Sequence, residues 1–202
     1  MKYILIALMW TGYVSLHSYL ISIRFTSLMK RLLKNFYAFY RLFYVSVSLF
    51  LLIPLLKFTE QIDNEVIISY SLAINIVRYV MISASLLMFL WTFFFSYDPL
   101  SFFGIRQMSD YGKTKKKSPP EEIKKNGLLG IIRHPMYLAL IIYLWCQTFT
   151  IANIVVNTVL TIYIIIGTIL EEKKLVLEFG DVYVKYQKEV PMLIPFTKNR
   201  KS

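Results

Sequence analysis

The chain has 202 residues, 56% hydrophobic and 16% aromatic, with one cysteine, two histidines and a formal net charge of +11. A mean hydropathy of +0.53 is too apolar for an ordinary soluble domain, so helices must face lipid; the lone cysteine excludes a disulfide framework, and so few His and Cys leave no usual metal ligand set. The positive charge does not point to nucleic acid, because Lys and Arg gather in the stretches between apolar segments, as membrane topology requires.

In chain order, Tyr3 to Ile23 reads as a first span, given ~20 residues per crossing. A cleaved signal peptide is the competing reading, but the run is long and no small-residue cleavage site follows it. Within it His17, beside Ser18, sits at a depth where a polar side chain should face protein or a wet cavity. The plain reading is a histidine satisfied by a neighbouring helix; the functional one is a catalytic group. Arg24, Lys30, Arg31, Lys34 and Arg41 follow, interleaved with Phe and Tyr as in an interfacial amphipathic helix. A second span runs from about Leu42 to Lys57, beginning a few residues earlier, with Pro54 near its far end. The next loop carries Glu60, Asp63 and Glu65. Val66 to Tyr97 exceeds one crossing, so Tyr79 to Tyr97 is read as the third span, Val66 to Val77 as an outer extension or a tilted continuation, and Arg78 as snorkelling to the interface.

From Asp98 to Arg133 a long basic loop is expected, with Arg106 near its entrance and a lysine-rich middle. Pro135 suits the first turn of a fourth span reaching about Thr150, and Ile154 to Leu170 forms a fifth. The fifth helix should continue past the membrane to Phe179, with Gly180 as its C-terminal cap and a short helix from Asp181 ended by Pro191. The expectation is an all-α, multi-pass membrane bundle of about five spans, one domain over 1–202, with a cofactor-binding part at about 127–195. Loop charges place the N-terminus outside and the C-terminus in the cytoplasm of a cell membrane.

Polar groups crowd both ends of the last two apolar runs. Arg133, His134 and Tyr137 open one, and Glu171 and Glu172 close the other. Adjacent carboxylates at a membrane surface are costly unless they face a cation; pairing to Lys173, Lys174 or Arg133 is the plain alternative. The helix begun at Pro135 presents free backbone N–H groups which, with Arg133, attract a carboxylate. S-adenosylmethionine carries a carboxylate, an amine, a ribose diol and a sulfonium, and so matches both ends.

Gly127 with Arg133, His134, Pro135 and Tyr137, followed by Glu171, Glu172 and Leu175, then Phe179, Gly180, Tyr183, Tyr186, Val190 and Pro191, resembles the integral-membrane methyltransferases of the isoprenylcysteine carboxyl methyltransferase superfamily. That resemblance covers about the last seventy residues. His17 and Ser18, Tyr40 to Tyr44, Phe103 to Gln107 and the ending Val190 to Phe196 are more similar to the methanethiol S-methyltransferase branch. The resemblance implies S-adenosylmethionine as methyl donor without a Rossmann domain, and no G-x-G-x-x-G occurs here. It implies that Gly127, Arg133, His134, Pro135, Tyr137, Glu171 and Glu172 form the cofactor site, with His17 and Arg106 as candidates for stabilising a thiolate acceptor and no metal. Expected partners are the lipid bilayer and a small-molecule or lipophilic acceptor. The competing classes are methyl transfer to an isoprenylcysteine carboxylate or a lipid, a nicotinamide-dependent reductase, and a non-enzymatic haem- or partner-binding membrane protein.

Overall fold

A computed structural model describes residues 1–62, 65–96, 99–103, 105–106 and 125–197. The described residues hold helices and no strand, in the order α1 Lys2–Ile21, α2 Ile23–Leu33, a 3-10 segment Lys34–Phe39, α3 Tyr40–Ile62, α4 Leu72–Trp91 running into a π-type turn Thr92–Ser96, the four-residue α5 Pro99–Phe102, a 3-10 turn Gly127–Gly130, α6 Pro135–Trp145, α7 Ile151–Phe179 and α8 Asp181–Glu189. The expected lysine-rich loop centre, 107–124, lies outside the described residues, as does Gly104.

The chain forms two compact units. The first comprises 1–69, 98–114 and 148–160; the second comprises 70–97, 115–147 and 161–202. In the first, α1 and α3 pair antiparallel. Trp10 is 2% exposed, packs with Ile6, Leu55, Ala152 and Val156, and donates its indole N–H to Thr59 Oγ1 at 2.9 Å. That bond satisfies the one polar atom of a large buried ring. Toward the other end, Tyr40 donates to the Leu20 carbonyl at 2.7 Å. The helical path from Ile23 to Ile62 is 40 residues, roughly 60 Å at 1.5 Å per residue and so twice a bilayer core. It is divided at Lys34, where φ is 47°, so the crossing part is α3. Pro54 lies inside α3, which continues to Ile62, beyond the expected end at Lys57.

In the second unit, α4 packs on α6. The expected division of Val66 to Tyr97 is corrected here. Residues 65–71 are not helical, Ser71 caps α4 by accepting from the Ile74 N–H, and the helix carries Arg78 in its second turn. Arg78 does not snorkel to the interface alone. Its Nη1 donates to Asn75 Oδ1 at 2.6 Å, its Nε to the Cys146 carbonyl at 3.2 Å, and its guanidinium lies 4.3 Å from the Tyr70 ring centre. A cation on the last carbonyls of α6 also suits the helix dipole.

Among the described residues, four stretches, Lys2–Ile21, Ile23–Ile62, Leu72–Ser96 and Ile151–Phe179, are long and apolar enough to cross a membrane. The expected fourth span is present as a shorter apolar helix. Helix α6 has 11 residues, about 16 Å against a ~30 Å hydrocarbon core, because the chain leaves the helix at Cys146 rather than at Thr150. Helix α7 has 29 residues, about 43 Å, so its charged end from Glu171 onward extends past the bilayer. Replacing Arg78 by Ala should lower thermal stability in detergent by about 1–3 kcal/mol, the range for losing a charged hydrogen bond to a buried carbonyl, and Arg78→Lys should recover part of it. Equal melting of all three proteins would contradict this role.

Candidate functional site

The last seventy residues of the second unit build one buried polar centre around Glu172. Gly180, at φ +60°, ends α7, with its N–H on the Val176 carbonyl at 2.9 Å; a side chain would strain this backbone. The reversal lays α8 back on α7, with Tyr183, Tyr186 and Val190 buried against Leu175, Val176 and Phe179. Opposite them, the strand-like run before α6 is fixed by the Arg133 N–H on the Pro191 carbonyl at 2.9 Å and the His134 N–H on the Met192 carbonyl at 3.1 Å. Tyr186 donates to the Leu129 carbonyl at 2.6 Å.

Glu172 is 6% exposed. Its Oε1 accepts from Arg133 Nε at 2.9 Å, His134 Nε2 at 2.6 Å and the Tyr183 hydroxyl at 2.6 Å. Its Oε2 accepts from Arg133 Nη2 at 2.7 Å and Gln187 Nε2 at 2.6 Å. The remaining Arg133 nitrogen, Nη1, donates to the carbonyls of Gln187 at 2.8 Å and Val190 at 2.7 Å, closing the end of α8. One guanidinium therefore grips a carboxylate with a two-bond fork and caps a helix.

Burial alone would raise the Glu172 pKa, but the hydrogen bonds from His134, Tyr183, Gln187 and Arg133 outweigh it and hold the carboxyl at about 2. Tyr186 is pushed up to about 12 by burial, with Arg133 opposing and Glu172 adding. Tyr183 rises further, through burial and its bond to Glu172. At neutral pH the centre is a fixed anion ringed by fixed donors, so none of these three groups shuttles protons.

Beside the centre lies a more accessible pair. Tyr137, half-buried, stacks on the His134 ring at 5.5 Å and donates to Glu171 Oε2 at 2.7 Å. Among the described residues no cation pairs with Glu171, so the adjacent carboxylates differ in environment: Glu172 is neutralised internally, Glu171 is not. His134 is 2% exposed and its Nδ1 has no partner among the described residues. Glu172 only accepts, so Nε2 carries the hydrogen and Nδ1 is, in the neutral ring, a buried acceptor without a donor. An open groove of about 510 Å³ runs along the end of α7, lined by Ile169, Val176, Leu177 and Met192 with Glu172, Lys173 and Gln187 on its polar side.

The structure thus brings together Arg133, His134, Pro135, Tyr137, Glu171 and Glu172. Gly127 sits in the 3-10 turn at φ +60°, followed by the Leu129 carbonyl that Tyr186 holds. Arg133 departs from the expected use: the carboxylate in its fork is Glu172, not that of a ligand. Gln187 was not among the expected site residues, and Tyr183 entered only through a motif. Their signal was the return of the chain at Gly180, which sets positions 11 and 15 after Glu172 beside it. His17 and Arg106 belong to the first unit. There the Ser48 hydroxyl donates to the Tyr44 carbonyl at 2.8 Å, so Ser48 Oγ accepts from His17 Nδ1 at 2.9 Å. This fixes the tautomer, with Nε2 as the basic nitrogen. Arg106 is exposed.

The chain is similar to curated methanethiol S-methyltransferases. It is 39% identical over 95 residues to the one from Crocosphaera subtropica, which is 46% of this chain and 37% of that protein. It is 36% identical over 114 residues to methanethiol S-methyltransferase 1 of Bradyrhizobium diazoefficiens, 56% of this chain and 39% of the relative. It is 42% identical over 106 residues to the Pseudomonas deceptionensis protein, 52% and 39% respectively. The matched part is therefore about two-fifths of each relative's length. No family model matches the chain, and no solved structure matches it.

If Glu172 and Arg133 hold the centre together, Glu172→Gln should cost about 3–5 kcal/mol, because it strands a buried guanidinium. A combined Arg133→Met and Glu172→Leu change should cost less than the sum of the single changes. Since the folded carboxyl lies below its ordinary value of 4.5, its stabilisation is complete above that value and is lost as pH falls from about 4.5 toward about 2. Chemical denaturation of parent and variants in detergent checks both statements.

Proposed function

We propose that the chain is an S-adenosylmethionine-dependent membrane methyltransferase whose acceptor is a small thiol of the methanethiol type. The observation that carries this reading is the Glu171 carboxylate, held by Tyr137 and paired with no cation among the described residues, together with a buried His134 Nδ1 that has no partner among them. A ligand that offers a cation and a hydroxyl or amine donor completes both. S-adenosylmethionine fits this donor and acceptor set, and the names of the similar proteins support methyl transfer to methanethiol.

In this reading Glu171 and Tyr137 hold the ligand's amine, His134 Nδ1 accepts from a ribose hydroxyl or the amine, and the positive end of the α6 dipole, after Pro135, faces its carboxylate. Arg133, Glu172 and Gly127 act as the frame that positions these groups. Bound S-adenosylmethionine supplies an electrophilic methyl group. The protein's own part is to align a thiolate and exclude water, which suffices because a thiolate is strongly nucleophilic once formed. His17 and Arg106 are the proposed groups for taking the thiol proton and stabilising the anion, with His17 Nε2 as the acceptor nitrogen. The single-domain reading of 1–202, with its cofactor part at 127–195, belongs to this proposal. So does the sidedness, with the N-terminus outside and the basic 98–133 stretch and C-terminus in the cytoplasm, where soluble methyl donors are found.

The experiment is methyl transfer from labelled S-adenosylmethionine by the purified chain to small thiols, prenylcysteines and lipids. Small thiols should be methylated, with a rate rising from neutral pH toward about pH 9 as the thiolate fraction grows. Turnover of a carboxylate acceptor instead, flat over this range, would refute the thiol assignment. Glu171→Gln should weaken S-adenosylmethionine binding by about 1–3 kcal/mol, the range for hydrogen bonds to charged groups, and leave folding intact. Lys173→Gln should leave both binding and folding unchanged; equal binding by both variants would remove Glu171 from the site.

A further inference from the structure

We propose that helix α2 is a docking surface for anionic phospholipid headgroups, making the chain selective for negatively charged bilayers. The helix spans Ile23–Leu33 between two membrane-crossing helices, and Ser22 fixes its start by accepting from the Phe25 N–H at 3.3 Å. At 100° per residue, Phe25, Leu28, Met29, Leu32 and Leu33 fall on one side. Arg24, Lys30 and Arg31 fall on the other, joined by Lys34 just past the helix end.

None of the α2 residues is buried; Leu28 is 46% and Leu32 65% exposed. Such a face, left by the protein, needs an apolar medium. Its orientation follows from Phe25, whose ring packs on Tyr19 at 4.7 Å and on Tyr40 at 6.3 Å. Those residues mark the end of α1 and the start of α3, so the Phe25 side turns toward the membrane spans and the cationic side turns away. The helix therefore lies along the bilayer boundary, with its apolar side in the acyl region and its cations at headgroup level.

Charge decides which lipid. No Asp or Glu occurs before Glu60 in the sequence, and among the described residues none of the four cations forms an ion pair. Four cations at one boundary without internal counterions attract phosphate-bearing lipids of net negative charge, and a zwitterionic surface offers no compensating field. A second copy of the chain would present the same cations and repel them.

The test uses the whole chain reconstituted in bilayers with spin-labelled phosphatidylglycerol or phosphatidylcholine, reading the motionally restricted lipid fraction. Phosphatidylglycerol should be preferred by at least about threefold at low salt, with the preference shrinking as salt screens it. The combined change Arg24→Gln, Lys30→Gln, Arg31→Gln and Lys34→Gln should abolish the preference. Arg24→Lys with Arg31→Lys, which conserves charge, should keep it. Equal association of the two lipids, a preference that persists at about 1 M salt, or one retained by the fourfold variant would each overturn the proposal. If the fourfold variant does not fold, the salt series on the unaltered chain decides. Cross-linking at Leu32→Cys in a Cys146→Ser background that joins two chains would assign the face to a second copy and overturn it as well. The readout is lipid association, so failure here leaves the methyltransferase reading standing, and the reverse.

Discussion

The meeting of three segments in the second unit depends on the buried Glu172 carboxylate. It joins the loop before α6, the membrane-emergent end of α7 and the returning α8 at one point, through Arg133, His134, Tyr183 and Gln187. Taking a carboxylate and a guanidinium out of water costs several kcal/mol per ion, which is offset only when every lone pair and proton finds a partner. Here nearly every one does. The pair contributes little net stability relative to an apolar substitute, but it fixes where three segments meet, and losing one partner leaves the other exposed to the full desolvation cost.

That constraint separates the two neighbouring glutamates. Successive helix positions are about 100° apart, so Glu172 turns inward while Glu171 turns toward Tyr137 at the accessible edge. The first becomes structure and the second keeps an unmatched charge. His134 bonds Glu172 through one ring nitrogen, stacks on the Tyr137 that holds Glu171, and buries its other nitrogen without a partner among the described residues. In the proposed reading, this contrast between a closed side and an open side is what a cationic, hydrogen-bonding ligand would complete.

Much of the fold was legible from composition and punctuation. The apolar runs gave the helical membrane character, Pro135 the start of α6, Gly180 the turn after α7 and Pro191 the stop after α8. The length of α6 was not legible. Its apolar run continues through Cys146 to Thr150, and hydropathy cannot see that the chain stops being helical at Cys146, where Arg78 takes the last carbonyl. Arg78 was hidden for a related reason: its partners Asn75, Cys146 and Tyr70 include one 68 residues away, and no local pattern encodes that. In the polar centre, residue types at the right spacing singled out Arg133, His134, Tyr137, Glu171 and Glu172, which the structure brings together. They could not say which carboxylate Arg133 would hold, because a fork suited to a ligand's carboxylate is equally suited to an internal one.

The chain is similar to methanethiol S-methyltransferases over about a hundred residues, and the proposed reading joins that similarity to the geometry around Glu171. The central claim is that Glu172 and Arg133 are the frame and that Glu171, Tyr137 and His134 meet the ligand. A structure of the chain with S-adenosylhomocysteine bound tests it most directly. The account predicts the ligand's amine against Glu171 and Tyr137, a hydrogen-bond donor at His134 Nδ1, and the Arg133–Glu172 fork unbroken. A guanidinium turned away from Glu172 to grip the ligand's carboxylate would contradict it.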